Sequence, residues 1–213
     1  MGVSPGYGRW SPDGKTIAFH ANPGGQGDVF AVPADGGKAR NLTDHPSTDV
    51  FASFSRDGRW VYFSSTRSGE PTIWKVPASG GDAVQVSGVF GLLALESPDG
   101  ADLYYVESTT TDRPGPLLRL SLKDGEVVRI VENGVPTSFE VVDGGIYYIE
   151  RVPGEARVTY FDLATRQATM IASRLGNVGP VGPVITVSRD GRSILFSRVD
   201  SSVDDLMLVE NFR

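Results

Sequence analysis

The chain has 213 residues, 39% of them apolar and 22% charged, which suits one folded domain with a sizeable core; its 26 glycines and 14 prolines exclude a mainly helical protein. A net charge of −6 and a sequence pI near 4.9, without any run of Lys and Arg, exclude a nonspecific nucleic-acid or acidic-membrane surface. The absence of cysteine removes disulfides, thiolate metal sites and cysteine nucleophiles together.

The first residues, Met1-Gly-Val-Ser-Pro-Gly-Tyr7, have neither a basic start nor an apolar stretch, so no signal peptide is expected there. Apolar runs are cut by Gly, Asp or Pro throughout, and none reaches the roughly 18 residues of a membrane span, so no membrane insertion by this chain is expected.

Self-comparison exposes a repeat. Trp10-Ser-Pro-Asp-Gly-Lys-Thr-Ile-Ala-Phe19 returns as Phe54-Ser-Arg-Asp-Gly-Arg-Trp-Val-Tyr-Phe63, as Glu96-Ser-Pro-Asp-Gly-Ala-Asp-Leu-Tyr-Tyr105 and as Val187-Ser-Arg-Asp-Gly-Arg-Ser-Ile-Leu-Phe196, with a degenerate copy at Val142-Asp-Gly-Gly-Ile-Tyr-Tyr148. The marker aspartates Asp13, Asp57, Asp99, Asp143 and Asp190 are 44, 42, 44 and 47 residues apart. A period of about 40 to 45 residues belongs to propellers. Within each unit Ser-x-Asp-Gly supplies hairpin chemistry, since Asp bonds the backbone two residues on and Gly accepts positive φ.

A third strand is predicted at Asp28–Val32, Thr72–Val76, Leu117–Leu122, Val158–Phe161 and Leu206–Val209 in successive units. A Gly-rich turn and a fourth short strand follow, the strand ending in Asn41–Thr43, Gln85–Ser87, Arg129–Val131 or Thr169–Ile171. Such meanders cannot cover their own apolar faces and so pack radially. The reading is one all-β domain over 1–213, a β-propeller of five four-stranded antiparallel blades at approximately 1–43, 44–87, 88–131, 132–172 and 173–213. Almost no helix is expected. The aromatics Trp10, Trp60, Trp74, Phe19, Phe63 and Tyr105 recur at matching positions and are predicted to be core between blades. No sequence remains for the outer strand of the last blade. Either a five-bladed ring closes without it or the chain is the last part of a larger propeller, and an uncovered edge would invite self-association.

Trp10-Ser-Pro-Asp-Gly-Lys-x-Ile-Ala-Phe, Asp28-Val-Phe-Ala-Val, Asp35-Gly-Gly and Leu42-Thr43 resemble the WD40-like repeat of TolB-type (PD40) propellers, and the pattern is similar in prolyl oligopeptidase propellers. The terminal Asp204–Arg213 resembles the ends of membrane-anchored bacterial sensor propellers. The resemblance implies a noncatalytic module that binds or scaffolds a protein or peptide partner, extracytoplasmic (periplasmic) in bacteria, and often joined to another domain.

No Gly-x-Ser-x-Gly elbow and no His-Glu-x-x-His spacing occurs, and His20 and His45 stand far apart, so neither peptidase chemistry nor a metal or cofactor is expected. Asp-rich turns at Asp99–Asp102 and Asp204-Asp205 lack the ligand density of a calcium loop. The alternative is a carbohydrate-active propeller, glycosidase or lectin, with paired carboxylates at the channel mouth drawn from Asp49, Glu96 and Glu140. For a binding module, the link between blades is where variation leaves the core intact. Asp44, His45, Ser47, Thr48 and Asp49 in one such link, with Arg67 and Arg113 in nearby loops, are the predicted contact residues.

Overall fold

The computed structural model of the chain describes residues 6–173, 175, 185–188 and 192–196. It is all-β among those residues. The first four-stranded sheet is β1 (Gly6–Trp10), β2 (Thr16–Ala21), β3 (Asp28–Pro33) and β4 (Arg40–Asn41), and the second is β5 (Asp49–Phe54), β6 (Trp60–Ser65), β7 (Thr72–Pro77) and β8 (Val84–Phe90). Then come β9 (Ala94–Glu96), β10 (Asp102–Val106), β11 (Gly115–Ser121), β12 (Val127–Val142), β13 (Gly145–Val152), β14 (Glu155–Asp162) and β15 (Ala168–Ala172). Those seven form one antiparallel run because β12 is shared: its first part pairs with β11 and closes the third blade, and its second part pairs with β13 and opens the fourth. Gly134 is the crossing point, facing Gly115 on one side and Glu150 on the other. β16 (Ile185–Val187) and β17 (Ile194–Phe196) begin the fifth.

The hairpin chemistry is as the sequence predicts. Asp13 Oδ1 accepts from the Ser11 hydroxyl at 2.6 Å and from the Lys15 amide at 3.1 Å, and Gly14 takes a φ of 70°. Asp57 and Asp99 repeat the arrangement, with Ser55 and Ser97 donating. These hydrogen bonds hold all three carboxyls below their ordinary range, Asp57 at about 2.

The fourth strand of the first blade is shorter than the sequence implies. Asn41 Oδ1 accepts from the amides of Thr43 at 3.0 Å and Asp44 at 3.2 Å, an Asx turn that ends the ladder. The Thr43 hydroxyl takes over, accepting from the Val29 amide at 3.0 Å. The predicted third strand at Leu206–Val209, and Asp190, Asp204 and Asp205, lie outside the described residues.

The core is divided between neighbouring blades, as expected of sheets packed face to face. Ala18, Val29 and Leu42 of the first blade meet Val61, Phe63 and Val76 of the second. Tyr62 and Ile73 meet Leu103 and Tyr105; Tyr104, Val106 and Leu117 meet Phe139, Ile146 and Phe161; Ile149 and Val158 meet Leu175 and Ile185. Between the fifth blade and the first lies instead an open cleft of about 580 Å³, lined by Gly8, Trp10, Ile185, Leu195 and Phe196. Trp10 is therefore 61% exposed and Leu195 71%, a departure from the core role predicted for Trp10.

Candidate functional site

The first strand of each blade is the innermost, and it runs from the inter-blade link to the Ser-x-Asp-Gly turn. Asp49 and Phe54 mark the two ends of β5 and lie about 16 Å apart at the usual strand rise. The channel therefore has a link end and a turn end, and the two are built differently.

At the link end the predicted contact residues are divided by the fold. Asp49 is fully buried and accepts from Arg67 Nη2 at 2.7 Å, while Arg67 also donates to the Thr43 carbonyl at 3.0 Å. The guanidinium carbon stands 5.6 Å from the ring centroids of both Phe63 and Trp74. Arg67 thus joins the second blade to the link from the first. The carbonyl of His45 accepts from Gln26 Nε2 at 3.0 Å, its Nδ1 accepts from the Ser47 amide at 3.1 Å, and the Thr48 amide donates to the Thr66 hydroxyl at 3.1 Å. Asp44 is exposed, and Arg113 lies exposed on the third blade, in the loop between β10 and β11.

Within the channel Tyr7 and Phe51 occupy equivalent repeat positions, each at an irregularity in its strand pairing, with φ of 47° and 58°. The left-handed region is strained for aromatic residues. Their rings meet edge to face at 4.8 Å, and His20 completes the cluster, its Nδ1 accepting from the Phe51 amide at 3.4 Å. Burial lowers the His20 pKa and lifts that of Tyr7 to about 12, the latter partly offset by Thr137.

At the turn end three adjoining clefts of about 400, 480 and 290 Å³ open, and Arg56 and Pro98 line all of them. Arg9 Nη1 meets Glu140 Oε2 at 2.8 Å, joining the first blade to the fourth across the channel. Glu96 is buried and accepts from the Tyr62 hydroxyl at 2.6 Å and from the Arg56 amide at 2.6 Å. Burial, then the Glu96 contact, pushes the Tyr62 pKa far up, so its hydroxyl stays a donor. The Arg56 guanidinium donates to the Val141 carbonyl at 3.2 Å. Asp49, Glu96 and Glu140, the carboxylates a glycosidase would need, are thus each held by a different cation or donor, and Asp49 stands at the opposite end from the other two.

The sequence reading did not single out Arg9, Arg56 or Pro98. A signal existed in the repeat itself: the residue three before each turn aspartate is Trp10, Phe54, Glu96 or Glu140, and the residue just before it is Pro12, Arg56 or Pro98. All seven line the cleft of about 400 Å³, whereas the flanking Ser and Asp keep their turn role. Among the described residues no group of three or more His, Cys, Asp or Glu is placed to hold a metal ion, and no helix is long and apolar enough to cross a membrane.

Comparison with known proteins fits this architecture. The model of the TolB β-propeller domain family (PD40) matches residues 3–114. A comparison with curated protein sequences gave no match. Among solved structures, TolB from Acinetobacter baumannii is similar over 93% of this chain and 49% of its own length, with 19% identity and a TM-score of 0.77. A protein described as TolB from Agrobacterium tumefaciens is similar over 89% of this chain and 73% of its own, with 19% identity and a TM-score of 0.70. Oligogalacturonate lyase from Vibrio parahaemolyticus is similar over 95% of this chain and 73% of its own, with 12% identity and a TM-score of 0.57. The chain spans about half the length of the Acinetobacter protein, and identities this low speak to fold alone.

Proposed function

Since the chain belongs to the TolB β-propeller domain family, we propose that it is a noncatalytic binding or scaffold module whose protein or peptide partner docks at the turn end of the channel. One observation carries the choice of this end: three clefts converge on Arg56 and Pro98 there, while Asp49 and Arg67 at the link end are consumed in a buried ion pair within the second blade. The noncatalytic reading is supported by the commitment of Glu96 and Glu140 to Tyr62, the Arg56 amide and Arg9. A carboxylate whose oxygens are occupied by donors of the fold itself is poorly placed to act on a substrate. Family resemblance supports an extracytoplasmic setting. The exposed Trp10 and Leu195 beside the open junction support self-association as a second property, which the solution mass by light scattering reads directly.

The test is selection of displayed random peptides against the protein, followed by binding measurements on a Pro98→Trp variant. Pro98 is exposed, and Arg56 at the equivalent position of the second blade shows that the turn accepts another residue, so the indole is expected to fill the clefts without disturbing the fold. Selected peptides are expected to bind the parent protein and lose the variant. Peptides that bind both equally would place the partner elsewhere.

A further inference from the structure

Each junction between successive blades up to the fifth is closed by apolar side chains from both sides, whereas the one between the fifth blade and the first is open. The apolar groups for a closure are in place there. Trp10 of β1 and Ile185, Leu195 and Phe196 of β16 and β17 line the cleft of about 580 Å³, and Trp10 and Leu195 remain 61% and 71% exposed. Gly8 widens the hollow: it shares a face of β1 with Trp10, at the repeat position where Ala52 and Ala94 are buried in closed junctions. Among the described residues the lining holds no carboxylate, and its one cation, Arg9, is paired with Glu140. The cleft is thus an apolar seat, and covering it with another apolar group is favourable.

Two observations identify what the seat takes. Its volume is that of a small-ligand pocket, enough for a few side chains and far short of a four-stranded blade. It is also continuous with the turn-end cleft of about 400 Å³, because Arg9 and Trp10 line both. A peptide lying across the clefts beside Pro98 therefore reaches the junction past Trp10. We infer that the junction receives a bulky apolar side chain of that peptide, an anchor such as Phe or Leu packed between Trp10 and Leu195, while the flanking peptide lies on the turn end. A few side chains seated in desolvated pockets carry most of the binding energy of an interface. The inference rests on the binding-module reading and names the side chain by which the partner is recognised.

The experiment begins with N-acetyl-phenylalaninamide, beside N-acetyl-serinamide as control, titrated into the protein under backbone-amide and indole NMR. The phenylalanine compound is expected to shift Gly8, Leu195 and the Trp10 indole saturably, with a Kd on the order of 1 mM, and the serine compound to leave them in place. In peptides selected against the protein one Phe, Leu, Met or Trp should recur. Its change to Ala, and Leu195→Ser in the protein at an unchanged thermal midpoint, should each weaken binding about tenfold. Val84→Ser, which removes an exposed apolar side chain from the outer strand of the second blade, should change nothing. The solution mass at saturating peptide is expected to be that of one copy; a dimer that persists gives the junction to a second copy and overturns the proposal, as does a phenylalanine compound that shifts no more than the serine one. Selected peptides that lose the Pro98→Trp variant yet ignore Leu195→Ser overturn the anchor and leave the binding reading standing; failure of the peptide selection overturns the reading and the anchor with it.

Discussion

The guanidinium of Arg9 and the carboxylate of Glu140, 131 residues apart in the chain, meet at 2.8 Å across the turn end of the channel. Both side chains keep about a fifth of their exposure, 21% and 19%, so the pair is screened only in part. A double-mutant cycle of Arg9→Gln and Glu140→Gln, followed by urea unfolding, is expected to give a coupling of about 1 kcal/mol. Additive single effects would mean that the two blades meet independently of the pair.

The pair of Asp49 and Arg67 is of another kind, because the Asp49 carboxylate is fully buried and its Oδ1 has no protein partner among the described residues. Arg67→Met leaves that charge without a counterion and is expected to cost about 3–5 kcal/mol in urea unfolding. Adding Asp49→Leu should restore most of the loss, since removing both charges also removes the desolvation they impose. A binding role alone would leave the stability of Arg67→Met unchanged.

How far the sequence foretold this division can be argued residue by residue. Ser-x-Asp-Gly is local chemistry, so its recurrence located the hairpins and, through their period, the blades. The conflict between a structural and a binding role for Asp49 and Arg67 was invisible, because a buried ion pair joins residues 18 apart and only the fold shows that one of them has no exposure. Trp10 departs from its predicted core role for a similar reason: the face beside β1 is the open junction with the fifth blade, which only the fold shows. The turn-end residues were legible in principle, as the positions where the repeat departs from itself at Arg56, Glu96 and Glu140.

His20 ties stability to pH. Burial lowers its pKa in the fold, so in mildly acid solution the unfolded chain, with a histidine near its ordinary value of about 6.5, binds more protons than the folded one. Stability should therefore be flat with respect to this group above about pH 6.5 and fall as the pH drops below it. His20→Gln, which keeps a side-chain acceptor for the Phe51 amide, should flatten that limb of a urea-midpoint profile. An unchanged slope in the variant would assign it to other groups.

Two glycines test how closely the chain is packed. A methyl group on Gly115 would come within 2.1 Å of the Glu107 carbonyl, and backbone cannot step aside as a side chain can; on Gly6 it would come within 2.5 Å of His20 Nε2. Gly115→Ala is expected to destabilise by about 1–3 kcal/mol. Gly6→Ala should displace the imidazole and shift the His20 resonances in an NMR spectrum while leaving the third blade unaltered.

The location of the partner is the central claim, and backbone amide NMR during titration with a selected peptide tests it most directly. Shift changes are expected to cluster at Arg9, Arg56, Glu96 and Glu140, around the clefts that share Pro98. Changes centred instead on Asp44 to Asp49 and Arg67 would place the partner at the link end and contradict the account.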